Sequence, residues 1–115
     1  MQQITDLGSD AKQTFRFQIE DGNLATFTFS FLDNQIGWYF DVEYDDFKTT
    51  GLRLVNSPNV LSVYENLIRF GLMCTVSDGA EPYFQNDFVT GRVNLYILNK
   101  QEVEQVREVI YAKME

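Results

Sequence analysis

Histidine is absent from the 115 residues, cysteine occurs once, proline twice, and nine basic side chains stand against seventeen acidic ones. Each scarcity closes a class of function. Without histidine the commonest general base is missing, and with a single thiol the usual zinc ligand sets cannot be assembled. Cys74 lies in the apolar run Leu-Met-Cys-Thr-Val and reads as core packing; alone, it forms no intramolecular disulfide. The formal charge of -8 is the reverse of what counterion release from a phosphate backbone rewards, so nucleic acid contact is not expected. No apolar run approaches the roughly 20 residues that span a bilayer, and the polar opening stretch lacks a signal-peptide core. No membrane partner is expected, and a reducing cytoplasm is the expected compartment unless another particle carries the protein out. Phosphate-binding glycine loops, nucleophile elbows and zinc-protease motifs are all missing. The sequence therefore offers no catalytic residue, no metal ligand and no cofactor, and an enzyme is not expected.

What is present is a dense apolar and aromatic content, 44% and 15% of residues, in a length that suits one domain. The centre of the pattern is residues 25–44. Phe27, Phe29 and Phe31 alternate with Thr26, Thr28 and Ser30, and after a polar turn Trp38, Phe40, Val42 and Tyr44 alternate with Tyr39, Asp41 and Glu43. This is strand periodicity with one buried face. Phe15, Phe17 and Ile19 mark a strand before it, joined through Asp21-Gly22 by a hairpin in which glycine accepts the positive φ of a tight primed turn. Asp45-Asp46 breaks the meander, and 47–55 forms a fourth strand with Gly51 as a bulge and Leu52 and Leu54 facing in. Leu61, Tyr64, Leu67 and Ile68 fit helical spacing with Gly71 as a stop, so a short helix is predicted over 61–70. Strands over 72–76 and 92–98 flank a long aromatic loop, 80–90. From Lys100 the period becomes helical: Asn99 and Glu102 make a capping-box pair, and Val103, Val106, Ile110 and Met114 form one stripe over 100–114. That stripe is buried either on its own sheet or in an oligomer or partner.

The predicted fold is mainly β: a small antiparallel sandwich or partly open barrel of about six strands, with the helix near 61–70 and a C-terminal helix 100–114. Its expected organisation is a polar arm, 1–13, loose or docked on a partner, a β-rich domain, 14–98, and the helix, 99–115. Asp41, Glu43, Asp45 and Asp46 invite a cation, but Asp41 and Glu43 are the outward positions of a strand and no calcium-loop spacing follows. Nor does any pair among the acidic residues stand out for glycosidic acid–base work. Trp38 and Tyr39 invite sugar stacking, yet alternation sends Trp38 inward.

Several segments in order resemble the baseplate plug family of contractile-tailed phages. They are Gly37-Trp38-Tyr39-Phe40-Asp41-Val42, Gly51-Leu52-Arg53-Leu54-Val55, Gly71-Leu72 through Asp78, Glu81-Pro82-Tyr83, and, after Asp87-Phe88, the strand from Gly91 to Leu98. The likeness covers about 14–98. It implies a structural virion part at the tail's distal end that plugs or lines the hub and tube channel and bridges tail components, with no catalytic residues to carry over. Its partners are then hub and tube proteins, with several copies about a symmetry axis, and its place the virion baseplate after assembly in the host cytoplasm. Contacts are expected at Tyr39, Asp41 and Glu43 on the outer sheet face, at Tyr83, Phe84 and Phe88 in the loop, and at Val103, Val106 and Ile110 on the helix. A soluble ligand- or glycan-binding β-module, or an assembly factor absent from the finished particle, remains open as an alternative.

Overall fold

A computed structural model describes residues 2–19, 22–64 and 66–114, with side chains up to residue 108. Seven strands lie among the described residues: β1 (Gln2–Ile4), β2 (Lys12–Gln18), β3 (Leu24–Leu32), β4 (Gly37–Tyr44), β5 (Phe47–Arg53), β6 (Gly71–Val76) and β7 (Val93–Leu98). The helices are α1 (Asp87–Thr90) and α2 (Lys100–Met114). All strand pairs are antiparallel, in a four-stranded sheet ordered β2-β3-β4-β5 and a three-stranded one ordered β1-β7-β6. Neither sheet closes on itself, so the fold is an open sandwich and not a barrel.

Alternation decides the layers. Phe27, Phe29, Trp38, Phe40 and Val42 are at most 1% exposed, and they meet Leu72, Cys74, Val93 and Leu95 from the smaller sheet. The rings interlock: Phe29 lies 5.9 Å from Phe40, Trp38 4.8 Å from Phe88, and Phe70 meets Phe27 edge-on at 5.9 Å. Antiparallel register places Phe29 opposite Phe40 and Phe31 opposite Trp38, so pairing and ring packing specify the same alignment.

Local chemistry follows the sequence in several places. Gly51, at φ +71, sits in a β-bulge: Thr50 and Gly51 together oppose Asp41, whose Oδ1 accepts the Gly51 N–H at 2.8 Å. The Asn99–Glu102 capping box forms in both directions, at 2.8 and 3.0 Å. Asp45-Asp46 is a two-residue turn joining Tyr44 to Phe47, so the meander runs on through four strands instead of breaking there. In the first hairpin Ile19 N–H donates to the Asn23 carbonyl at 2.8 Å, leaving three intervening residues where a tighter primed turn was expected. Gly22 takes φ +91 there, and Asp21 lies outside the described residues.

Two expectations are corrected. The stretch 61–70 is not one continuous helix: a short 3-10 helix, Ser62–Tyr64, is followed by a turn in which the Tyr64 carbonyl accepts Leu67 N–H at 2.8 Å and Ile68 N–H at 3.2 Å. Its flanks are tied to β6: Val60 N–H donates to the Leu72 carbonyl at 2.8 Å, and Ser57 and Cys74 form a bridge. The buried Asn59 adds a further tie, its Oδ1 accepting Leu61 N–H at 3.0 Å and Leu72 N–H at 3.1 Å. Pinned so close together, the ends leave room for short turns but not for a continuous helix. Gly71, expected as a helix stop, instead opens β6 and makes room for Asn59, whose side chain would lie 2.8 Å from an added Cβ. The second correction concerns the polar arm. Its residues Gln2–Ile4 pair with β7 of the same chain, and Ile4 is 7% exposed in the core.

Phe29→Ala should therefore cost about 3–5 kcal/mol, the range for truncating a core ring. Tyr39→Ala, on the half-buried outer face, should cost roughly 1 kcal/mol or less. Urea unfolding of both variants checks the pair: equal losses would mean that the inner and outer faces are reversed.

Candidate functional site

One end of the sandwich gathers the 33–37 turn, the end of β5, the 77–86 loop and α1. Ile36 takes φ +46, a left-handed conformation that a β-branched residue rarely adopts, and is 62% exposed. Arg53 holds it there: Nη2 donates to the Ile36 carbonyl at 3.0 Å, Nη1 donates to the Tyr39 hydroxyl at 2.9 Å, and the guanidinium stacks over the Tyr39 ring at 5.5 Å. Gly37 lets the two segments meet, since an added Cβ would stand 3.1 Å from Arg53 Nη2 and 3.6 Å from the Pro82 carbonyl. On the loop, Tyr83 and Phe84 are 39% and 56% exposed, and Val89 on α1 is 61% exposed.

The loop carrying these side chains is anchored from beneath. Trp38 Nε1 donates to the Phe84 carbonyl at 3.0 Å, so a fully buried ring of the meander fixes the backbone of an exposed one. Arg92 is the second anchor. Its Nε meets Asp78 Oδ2 at 3.0 Å, Nη1 meets Asp87 Oδ2 at 2.9 Å, Nη2 donates to the Glu81 carbonyl at 2.9 Å, and the guanidinium lies 5.1 Å from the Phe84 ring centre. Asp87 is 1% exposed; its Oδ2 also accepts the Phe84 N–H at 2.9 Å, while its Oδ1 has no hydrogen-bond partner. A planar fork reaching two carboxylates, a carbonyl and a ring is a task for arginine that lysine cannot copy. Phe84 is thus an exposed aromatic on a fixed backbone, the arrangement that lowers the ordering cost of docking.

The residues expected to make contacts are distributed unevenly. Tyr39, Tyr83 and Phe84 come together at this end. Asp41 is committed to the bulge, Glu43 pairs with Lys48 at 3.4 Å, and Phe88 turns inward onto Trp38 and Phe29. Val103 is buried within the chain, Val106 is half-buried, and the side chain of Ile110 lies outside the described residues. Ile36, Arg53 and Val89 were not anticipated; the positive φ of Ile36 and the reach of Arg53 leave no pattern in sequence.

Among the described residues no group of three potential ligands is placed to hold a metal ion. Burial, with smaller contributions from the nearby Glu81 and Asp87 carboxylates, pushes the Cys74 thiol up to about 12, so it stays protonated and inert. No described helix is long and apolar enough to cross a membrane.

Hydrogen bonding from Ala80 N–H, then from Arg92, holds the Asp78 carboxyl below its ordinary 3.8. A folded-state value below the unfolded one adds stability that is complete above the ordinary value and lost as pH falls through the lowered one. The stability gap between wild type and Asp78→Asn should then be constant above about pH 5 and close below about pH 4. Urea midpoints across this range test it; a gap independent of pH would remove Asp78 from the clamp's acid response.

Residues 1–100 match the model of the family described as cyanophage baseplate Pam3 plug gp18. Among curated proteins none matches the chain. The match begins earlier than the likeness read over 14–98, taking in β1, and ends at the first residue of α2. With 100 of its 115 residues covered, and with a mainly β fold beneath them, the chain belongs to this family of baseplate plugs.

Proposed function

We propose that the protein is a non-catalytic structural part of a phage tail baseplate, closing or lining the central channel and bridging hub and tube. It leaves or rearranges when the tail fires. Family membership supports the location, and the observation that carries the docking role is the end built from Ile36, Tyr39, Arg53, Tyr83, Phe84 and Val89. Aromatic and arginine side chains on a fixed backbone are what dominates binding at protein interfaces. The guanidinium groups at this end are engaged within the chain, Arg53 on Tyr39 and Arg92 on Asp78 and Asp87, so the side chains left for contact are mainly the exposed Ile36, Tyr83, Phe84 and Val89. The rigid core behind that end suits a part that must fill space without deforming.

Mass spectrometry of purified particles should find the chain in mature tails. Phe84→Asp should leave the melting temperature nearly unchanged, because the ring is exposed, and should reduce incorporation into particles at least about tenfold. Absence of the wild-type chain from mature particles would instead identify an assembly factor, and normal incorporation of Phe84→Asp would move the contact elsewhere.

A further inference from the structure

The opposite end of the sandwich carries charge in an uneven pattern. Arg69 on the turn before β6 and Lys100 and Arg107 on α2 line one groove of about 450 Å³, so three of the chain's nine basic residues share it. Ile68 and Val103, 6% and 8% exposed, also line it as apolar floor, and among the described residues Glu104 is the one carboxylate in its wall. Lys100, Val103, Glu104 and Arg107 follow one another at helical spacing, so a single face of α2 supplies that side. Beside the groove is a hollow of about 280 Å³ lined by Tyr44, Phe47 and the turn residues Asp45 and Asp46. Both aspartates are exposed and make no ion pair among the described residues. Leu67 lines both cavities and is 68% exposed, the ridge between a basic groove and an acidic hollow.

A surface on which positive and negative patches lie side by side across an apolar ridge is complementary to itself under a two-fold rotation. We infer that this end is a homodimer interface, with Leu67 near the axis and Asp45 and Asp46 of each copy seated on Arg69 and Lys100 of the other. An acidic segment from a different protein would occupy the groove but leave the hollow and its two aspartates uncovered. A nucleic acid would meet the aspartates next to the groove and the overall charge of -8. A second copy covers all three features at once. Exposed ion pairs are individually weak and screened by salt, so the apolar ridge supplies burial while the charges set the register. This interface is independent of the docking end carrying Phe84, which lies at the far side of the strands.

Charge reversal tests the arrangement with the full chain. Sedimentation equilibrium should show a dimer at about 50 mM salt that weakens at least about tenfold at roughly 500 mM. The double variant Arg69→Glu with Lys100→Glu should be monomeric, and so should Asp45→Lys with Asp46→Lys, each with a native circular dichroism spectrum. Mixed together, the two variants should form a heterodimer, because each now carries at both patches the charge that the other lacks. Rescue by mixing separates a lost interface from a damaged fold. A wild-type chain that stays monomeric at every salt concentration overturns the inference, as do single variants that still dimerise or a mixture that fails to pair.

Discussion

The larger sheet sets a row of packed aromatic rings against the aliphatic inner face of the smaller one. Phe70, just ahead of β6, stands edge-on to Phe27 at 5.9 Å and to Tyr44 at 5.1 Å, and from there contact passes through Phe40 and Phe29 to Phe88 and Trp38. Aromatic rings bury more area than any other side chains and prefer these tilted geometries, so a short chain obtains from them both cohesion and a fixed sheet separation. Everything placed at either end of the sandwich inherits its position from this row. Strand register, bulge and loop anchor all refer back to it, since Gly51 is offset against the strand that carries Phe40, and Trp38 supplies a donor to the 80–90 loop.

Polar groups then fix what the rings leave loose. Asn59 replaces a stretch of ladder by accepting two buried N–H groups, and Arg92 gathers the loop between Asp78 and Asp87 under Phe84. In both cases one side chain satisfies several backbone or carboxylate partners that burial would otherwise penalise. The result is a loop that exposes aromatic side chains while its backbone stays as constrained as a strand. Rigidity and exposure usually compete; here the clamp lies below the surface and the display above it.

Period-two alternation made the meander legible, because Phe27, Phe29, Trp38, Phe40 and Val42 declare a face without reference to the rest of the chain. Gly51 and the Asn99–Glu102 pair were equally local, each depending on neighbours a few residues away. What escaped was set by distant partners. The 61–70 pattern has helical spacing, yet its flanks are pinned to β6, a tertiary constraint that overrides periodicity. The polar composition of the arm hid a three-residue strand whose only large apolar member, Ile4, enters the core. Of the candidate contacts, Tyr39, Tyr83 and Phe84 were readable as aromatic and outward or in a loop. Ile36 and Arg53 were not, for they join the proposed docking end only through a backbone angle and a long side chain crossing between turns. Family likeness supplied the setting that physical reading of the residues alone did not reach.

The pairing of β1 with β7 joins the beginning of the chain to a strand some ninety residues later, with Gln3 and Asn94 also linked side chain to side chain at 3.1 Å across a separation of 91 residues. During synthesis the first strand emerges with its partner still unmade, and the larger sheet can complete its meander long before the smaller one acquires its outer member. Closing so long a loop carries an entropic cost that three residue pairs repay only once β6 and β7 are already in place. The three-stranded sheet is therefore finished last and from the outside. Until then the outer edge of β7 is an unfilled strand position, and filling it from the same chain withdraws that edge from every other strand in a crowded assembly.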